Sequence, residues 1–308
     1  MLILRAQRER NLRQSYIAEI NDQFMSIRRQ PSVQKSVSHS PTSKPTHISR
    51  QNYKKFSYLQ KKTYLCRQIR FIMTILNIET ATSCCSAAIT INGQLFATQQ
   101  MTDSANHAHQ LPLFINNLLQ QARQNNLTIN AVALSQGPGS YTGLRIGAST
   151  AKGICYGLNI PLIPIDTLQL LTLAAVQTIG LDNIPDNSLF IPMIDARRME
   201  VYTAAYNPKS LCRTDEITAK VIDEQAFETG KQQYAHLYFF GNGAAKCKDI
   251  LAAENTHFID AILPQAQYMG TLAEQPDAPH LDRKQMAYFE PFYLKEFTPA
   301  PSHVKGLQ

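Results

Sequence analysis

Ser135-Gln136-Gly137-Pro138-Gly139-Ser140-Tyr141-Thr142-Gly143-Leu144-Arg145-Ile146-Gly147 joins a strand-like run, Ala131 to Leu134, to a helix-like run, Leu144 to Leu158. A loop of this kind turns sharply, lets backbone N–H groups approach a partner and feeds a helix N-terminus. It puts the functional edge of the chain on a strand–loop–helix unit, and the partner is either a phosphate or another protein. The spacing is not G-x-x-x-x-G-K-[ST], nor is it G-x-G-x-x-G followed by a ribose-binding acid, so the nucleotide reading is weak on the loop alone.

The helix behind the loop adds its own information. At about 100° per residue, Gly143, Gly147, Ala151, Ile154 and Leu158 share one face, and Gly153 and Gly157 lie beside it. Arg145, Ser149, Lys152 and Tyr156 form the opposite, polar stripe. An interior glycine costs a helix about 1 kcal/mol relative to alanine. Close packing has to offset that cost, either against the chain's own sheet or against a helix of another subunit. The docking alternative makes these seven residues a partner surface, with Leu111 and Ile115 of the preceding helix added to it.

Outward from the loop the pattern is α/β. Ile75 to Ile78 reads as a strand, and Glu79-Thr80-Ala81-Thr82-Ser83 as a hydroxyl-rich turn. Strands 86–91 and 94–100 flank Asn92-Gly93, a strong hairpin signal because both residues tolerate positive φ. Residues 110–125 form an amphipathic helix with Pro112 in its first turn. Strand 162–165 and helix 167–177 follow, with Asp166 as N-cap. Further strands are expected at 189–194, 200–205 and 238–240, and helices at 244–252 and 264–274. No residue-level repeat is evident, but the layout suggests two similar α/β lobes. The expected boundaries are a basic extension at 1–72, an N-terminal lobe at 73–178 and a C-terminal lobe at 179–308, with helix 264–274 free to pack back on the first lobe.

The formal charge of +7 belongs to the extension. Residues 1–72 hold 15 Lys/Arg against 3 Asp/Glu, whereas residues 73–308 hold 15 against 20. Segment 5–29 could form a short Arg-rich amphipathic helix, whereas 31–53 has too little apolar surface to order itself, and the extension is expected to be disordered or mis-annotated. It reads as an over-extended gene start, a transit peptide or a basic arm for RNA phosphates. No apolar run reaches the roughly 18 residues of a membrane span. The six cysteines form no CxxC pair, and scattered thiols fit a reducing cytosol.

Candidate chemistry is sparse. Glu79, beside Thr80 and Ser83 at a strand end, could hold a metal-bound water or a phosphate, or could simply bond its own turn. His107 and His109 are two apart and share no helix face, so no metal site is expected. Asp195-Ala196-Arg197-Arg198-Met199-Glu200 packs charges between two strands, to fix the turn or to line an inter-lobe cleft.

Together, ILNIETATSCCSAAI (75–89), GPGSYTGLRIG (137–147), IPMIDARRMEVY (191–202) and EPFYL (290–294) resemble the bacterial TsaB family over residues 73–308. The matching motif positions are Gly137, Pro138, Gly139, Ser140, Tyr141, Thr142, Arg145, Asp195, Arg197 and Glu200. The chain departs at Glu79, where the family often has Asp, and at Tyr141, where Phe is common. The resemblance implies an actin-like, Hsp70-like (ASKHA) two-lobe fold with RNase H-like lobes. It also implies a cytoplasmic, non-catalytic subunit that pairs through N-lobe helices with the catalytic subunit TsaD. That complex makes threonylcarbamoyladenosine next to the tRNA anticodon, with the ATPase TsaE as a further partner. The same surface would support self-association. No cofactor is expected in this chain, ATP would act at the level of the complex, and tRNA would be reached through it. The alternative from another class is an ATP-dependent kinase on the same fold using Glu79. A metallopeptidase is a weaker third reading, lacking metal ligands.

Overall fold

The computed structural model describes residues 72–102 and 106–295, so the expectations for the extension lie outside the described residues. The described residues form one compact unit carrying two five-stranded sheets.

The first sheet is built from β1 (Thr74–Glu79), β2 (Cys84–Ile91), β3 (Gln94–Thr102), β4 (Ala131–Gly137) and β5 (Leu162–Asp166). Its order is β3-β2-β1-β4-β5. The β1–β2 and β2–β3 pairs are antiparallel and the β1–β4 and β4–β5 pairs parallel. The second sheet contains β6 (Ser188–Asp195), β7 (Glu200–Thr203), β8 (Thr218–Val221), β9 (His236–Phe240) and β10 (Thr256–Ile259). Read as β8-β7-β6-β9-β10, it has the same order and the same pattern of antiparallel and parallel pairs. The two halves are therefore topological copies, which is the RNase H-like duplication of an actin-like fold. Glu79 and Asp195 end equivalent strands. Gly137 and Gly241, both at positive φ, open equivalent loops after β4 and β9.

Strand alternation sorts the first sheet into two faces. Leu76, Ile78, Val132 and Leu134 meet α1 (His107–Gln124) and α2 (Tyr141–Leu158) in one core. Ile75, Ala131 and Ala133 meet α3 (Thr167–Ile179) and the segment 266–273 in another. That segment is a 3-10 turn, Ala266–Tyr268, running into a short helix, Met269–Ala273, and its Ala266 N–H donates to Ser86 Oγ at 2.9 Å. Leu168, Leu171 and Ala175 of α3 turn to the second sheet, so this helix lies between the two halves. Asp166 caps it, accepting from the N–H groups of Leu168 and Gln169, and also accepts from Tyr206 Oη at 3.0 Å.

Several expectations change in extent. Helix α2 starts at Tyr141, a turn earlier than the glycine-rich sequence suggests, because Ser140 Oγ accepts from Gly143 N–H and caps it. The expected helix 244–252 is a 3-10 turn, Ala245–Cys247, followed by the short helix Lys248–Leu251. Among the described residues, no helix is long and apolar enough to cross a membrane.

Candidate functional site

The glycine loop packs on the β1–β2 turn. A Cβ on Gly143 would overlap the Thr80 carbonyl oxygen, and one on Gly139 or Gly147 would overlap Ala81 or the Thr80 hydroxyl. Thr80 Oγ1 donates to Gly143 O at 2.8 Å, and Ser140 N–H to Ala81 O at 2.7 Å. These glycines therefore let helix α2 approach its own sheet. By contrast, among the described residues a Cβ at Gly153 or Gly157 meets nothing within 4 Å.

That corrects the expected partner surface. Gly143, Gly147 and Ala151 are buried in the chain's own core, as are Leu111 and Ile115 of α1. Ile154 is half-buried against the same core. The open side of α2 holds Gly153, Gly157, Tyr156 (60% exposed) and Leu158 (48%), and α1 adds Leu113 (48%). The helical wheel put Tyr156 on a polar stripe. In the fold that stripe borders the open glycines, and Arg283 stacks over the Tyr156 ring at 3.9 Å.

The turn itself is closed. Glu79 and Thr80 are fully buried and Thr82 nearly so, while Ser83 is half-buried. Close approach of α2 seals the residues proposed for phosphate, so in this state none of the buried pair faces solvent. Burial pushes the Glu79 carboxyl up to about 8, against one hydrogen bond from Ala81 N–H at 2.6 Å. Burial also lifts the Cys84 thiol to about 11 and the Cys85 thiol to about 12, and the Glu79 charge adds to both. Both thiols stay protonated at neutral pH and are poor nucleophiles. Glu79 Oε2 and Ser135 Oγ are buried without a hydrogen-bond partner. They follow the paired residues Ile78 and Leu134 at the ends of adjacent parallel strands. His107 is buried with Nε2 3.0 Å from Thr82 O, whereas His109 is exposed. Among the described residues, no group of three or more His, Cys, Asp or Glu could hold a metal ion.

The equivalent strand end in the second half is open. Asp195 Oδ1 accepts from Arg197 N–H at 3.0 Å and pairs with Lys246 Nζ. The ammonium also donates to Arg198 O at 2.6 Å and Glu200 O at 2.8 Å. Arg197 and Arg198 both sit at positive φ. Glu200 pairs with Lys295. The segment 290–295 links the two halves: Phe292 N–H donates to Gln136 O at 2.6 Å, and Tyr293 packs on Tyr141 with ring centroids 4.9 Å apart. Three motifs far apart in sequence, 137–145, 195–200 and 290–295, thus form one contiguous surface. Lys246 and Lys295 were missed in the sequence. Lys295 directly follows EPFYL, and Lys246 lies shortly after the Gly241-Asn242-Gly243 turn that mirrors the first glycine loop.

A duplicated α/β fold with a sealed first strand end defines an actin-like protein without an open phosphate turn in this state. A YeaZ structure from Pseudomonas aeruginosa superposes with a TM-score of 0.59 at 21% identity, covering 72% of this chain and 100% of that one. The family model described as TsaD, tRNA N6-adenosine threonylcarbamoyltransferase, matches residues 94–296. The Escherichia coli "tRNA threonylcarbamoyladenosine biosynthesis protein TsaB" is 30% identical over 229 residues, covering 72% of this chain and 95% of that protein. The Haemophilus influenzae protein of the same name is 27% identical over 233 residues, covering 72% and 94%. The chain belongs to the TsaB family of tRNA threonylcarbamoyladenosine biosynthesis proteins, within the wider group that the TsaD model describes.

Proposed function

We propose that this chain is a non-catalytic cytoplasmic subunit of the complex that forms threonylcarbamoyladenosine next to the tRNA anticodon. It pairs with a TsaD-type catalytic subunit through its N-terminal lobe, residues 73–178. A TsaE-type ATPase joins the complex, ATP acts there rather than in this chain, and the same surface supports a homodimer.

The observation that carries the reading is the open side of α2. Gly153 and Gly157 each cost the helix about 1 kcal/mol, yet no packing among the described residues uses the space they leave. Exposed Tyr156 and Leu158 border them, and Leu113 lies on α1, which packs beside α2. A helix of another subunit can approach closely there and bury those side chains. The closed turn around Glu79 supports the non-catalytic part, because a kinase would have to bring phosphate to that strand end.

The test is Gly153→Leu and Gly157→Leu, made singly and together. Both positions have room for a side chain, so the variants should fold with near wild-type melting temperatures and lose co-purification with the TsaD-type partner. A folded double variant that still forms the complex at full yield would refute this docking face.

A further inference from the structure

We propose that the surface where the glycine loop, the 195–200 hairpin and the segment 290–295 meet is a contact for single-stranded RNA. This deepens the reading above, which supplies tRNA as the substrate of the complex.

The surface is one connected line. Arg145 donates to Tyr141 Oη at 2.9 Å, and its guanidinium lies 5.3 Å from the Tyr141 ring centre. Tyr141 packs on Tyr293, and two residues further on Lys295 reaches Glu200. Tyr202 lies within electrostatic reach of Lys295, Glu200 and Arg197. Arg145, Arg197, Tyr293 and Lys295 are exposed, and Tyr141 and Tyr202 are half-buried. Aromatic rings alternating with cations are the composition that takes unpaired bases by stacking and their phosphates by charge.

Charge balance points the same way. Residues 73–308 carry more acid than base. Here, however, Asp195 and Glu200 are engaged by Lys246 and Lys295. Among the described residues, Arg145, Arg197 and Arg198 have no carboxylate at ion-pair distance. Arg197 and Arg198 are held in the left-handed region at an exposed hairpin tip. Bulky residues avoid that conformation unless their surroundings enforce it, and such strain gathers at binding sites. Lys246 enforces it here by gathering the Arg198 and Glu200 carbonyls.

The experiment uses the full-length chain with its TsaD-type partner and an anticodon stem–loop carrying 4-thiouridine in the loop. After irradiation, crosslinks are expected on peptides containing Tyr141 or Tyr293. In anisotropy titrations, Tyr293→Ser should weaken binding about tenfold without changing the salt slope. Arg145→Gln with Arg197→Gln should make the slope of log affinity against log salt shallower by about one to two. Crosslinks confined to residues 1–72 or to the partner, or unchanged affinity and slope in both variants, overturn the proposal. Loss of binding that tracks loss of the partner on gel filtration also overturns it, since the surface would then be a protein contact. If no complex forms at all, the proposed function fails, and the same crosslinks on the chain alone still decide this surface.

Discussion

Replacing Glu79 by Gln should remove the pH dependence of stability that this side chain imposes. In the folded chain burial raises the carboxyl from 4.5 to about 8. Below pH 4.5 both folded and unfolded states hold the proton. Between 4.5 and about 8 the unfolded chain releases it while the folded chain keeps it, so rising pH favours unfolding. At about 1.4 kcal/mol per unit, the full window is worth about 5 kcal/mol, complete only above pH 8. Glutamine keeps an acceptor for the Ala81 N–H and cannot ionise. Its NH2 is left without a partner where Oε2 has none now, at a cost of about 1–3 kcal/mol. The variant should therefore be slightly less stable than wild type at pH 5 and more stable by a few kcal/mol at pH 8.5. Urea unfolding of both proteins from pH 5 to 9 measures the difference, in which other titrating groups cancel. A difference that stays flat across that range would refute the buried neutral acid.

Three further outcomes follow from the same packing. Gly143→Ala forces a methyl into the Thr80 carbonyl and should cost about 3 kcal/mol or more, read as a fall in urea midpoint. Thr80→Val removes the bond to Gly143 O, an acceptor that keeps its place in the α2 ladder, and should cost about 0.5–1.5 kcal/mol by the same assay. Asp166→Ala removes both the α3 cap and the partner of Tyr206 and should cost about 2–4 kcal/mol, whereas Asp166→Asn keeps an acceptor for the cap and should lose less.

Much of this fold was legible because local chemistry and tertiary packing agree. Asn92 and Gly93 both adopt positive φ at the expected hairpin, and Asp166 caps the helix it was expected to cap. The elements left out, β8, β10, Glu228–Gln233 and Arg283–Tyr288, are four to six residues long. Nothing that short shows a period, and tertiary contacts form them. Arg283–Tyr288 did carry a sign, the Asp282 and Gln285 capping box. Of the expected interface, Gly143, Gly147, Ala151, Leu111 and Ile115 turn inward, and the reason is different. A helical wheel groups glycines by angle and is blind to what stands opposite each one. Gly147 and Gly153 look alike in sequence, but one lies under Thr80 and the other faces open space.

The duplication explains why the site is one-sided. Each half ends its first strand in a carboxylate and follows its fourth with a glycine turn, and Gly139 and Gly243 press on the equivalent strand ends, near Ala81 and Asp195. In the first half the following helix runs tight against the turn, so Glu79 is excluded from water and stays protonated. In the second half only the short turn 245–251 follows, and its Lys246 reaches the acid instead of covering it. Asp195 therefore remains exposed and paired. Polar chemistry offered to solvent is then concentrated at the second strand end, and the segment 290–295, by bonding Gln136 and Glu200, carries it across to the glycine loop. A fold whose first strand end is filled by its own helix leaves no open turn there and sets α1 beside α2. The Gly153→Leu and Tyr293→Ser variants separate the uses of the open α2 side and of that surface, since the first should abolish partner docking alone and the second RNA contact alone.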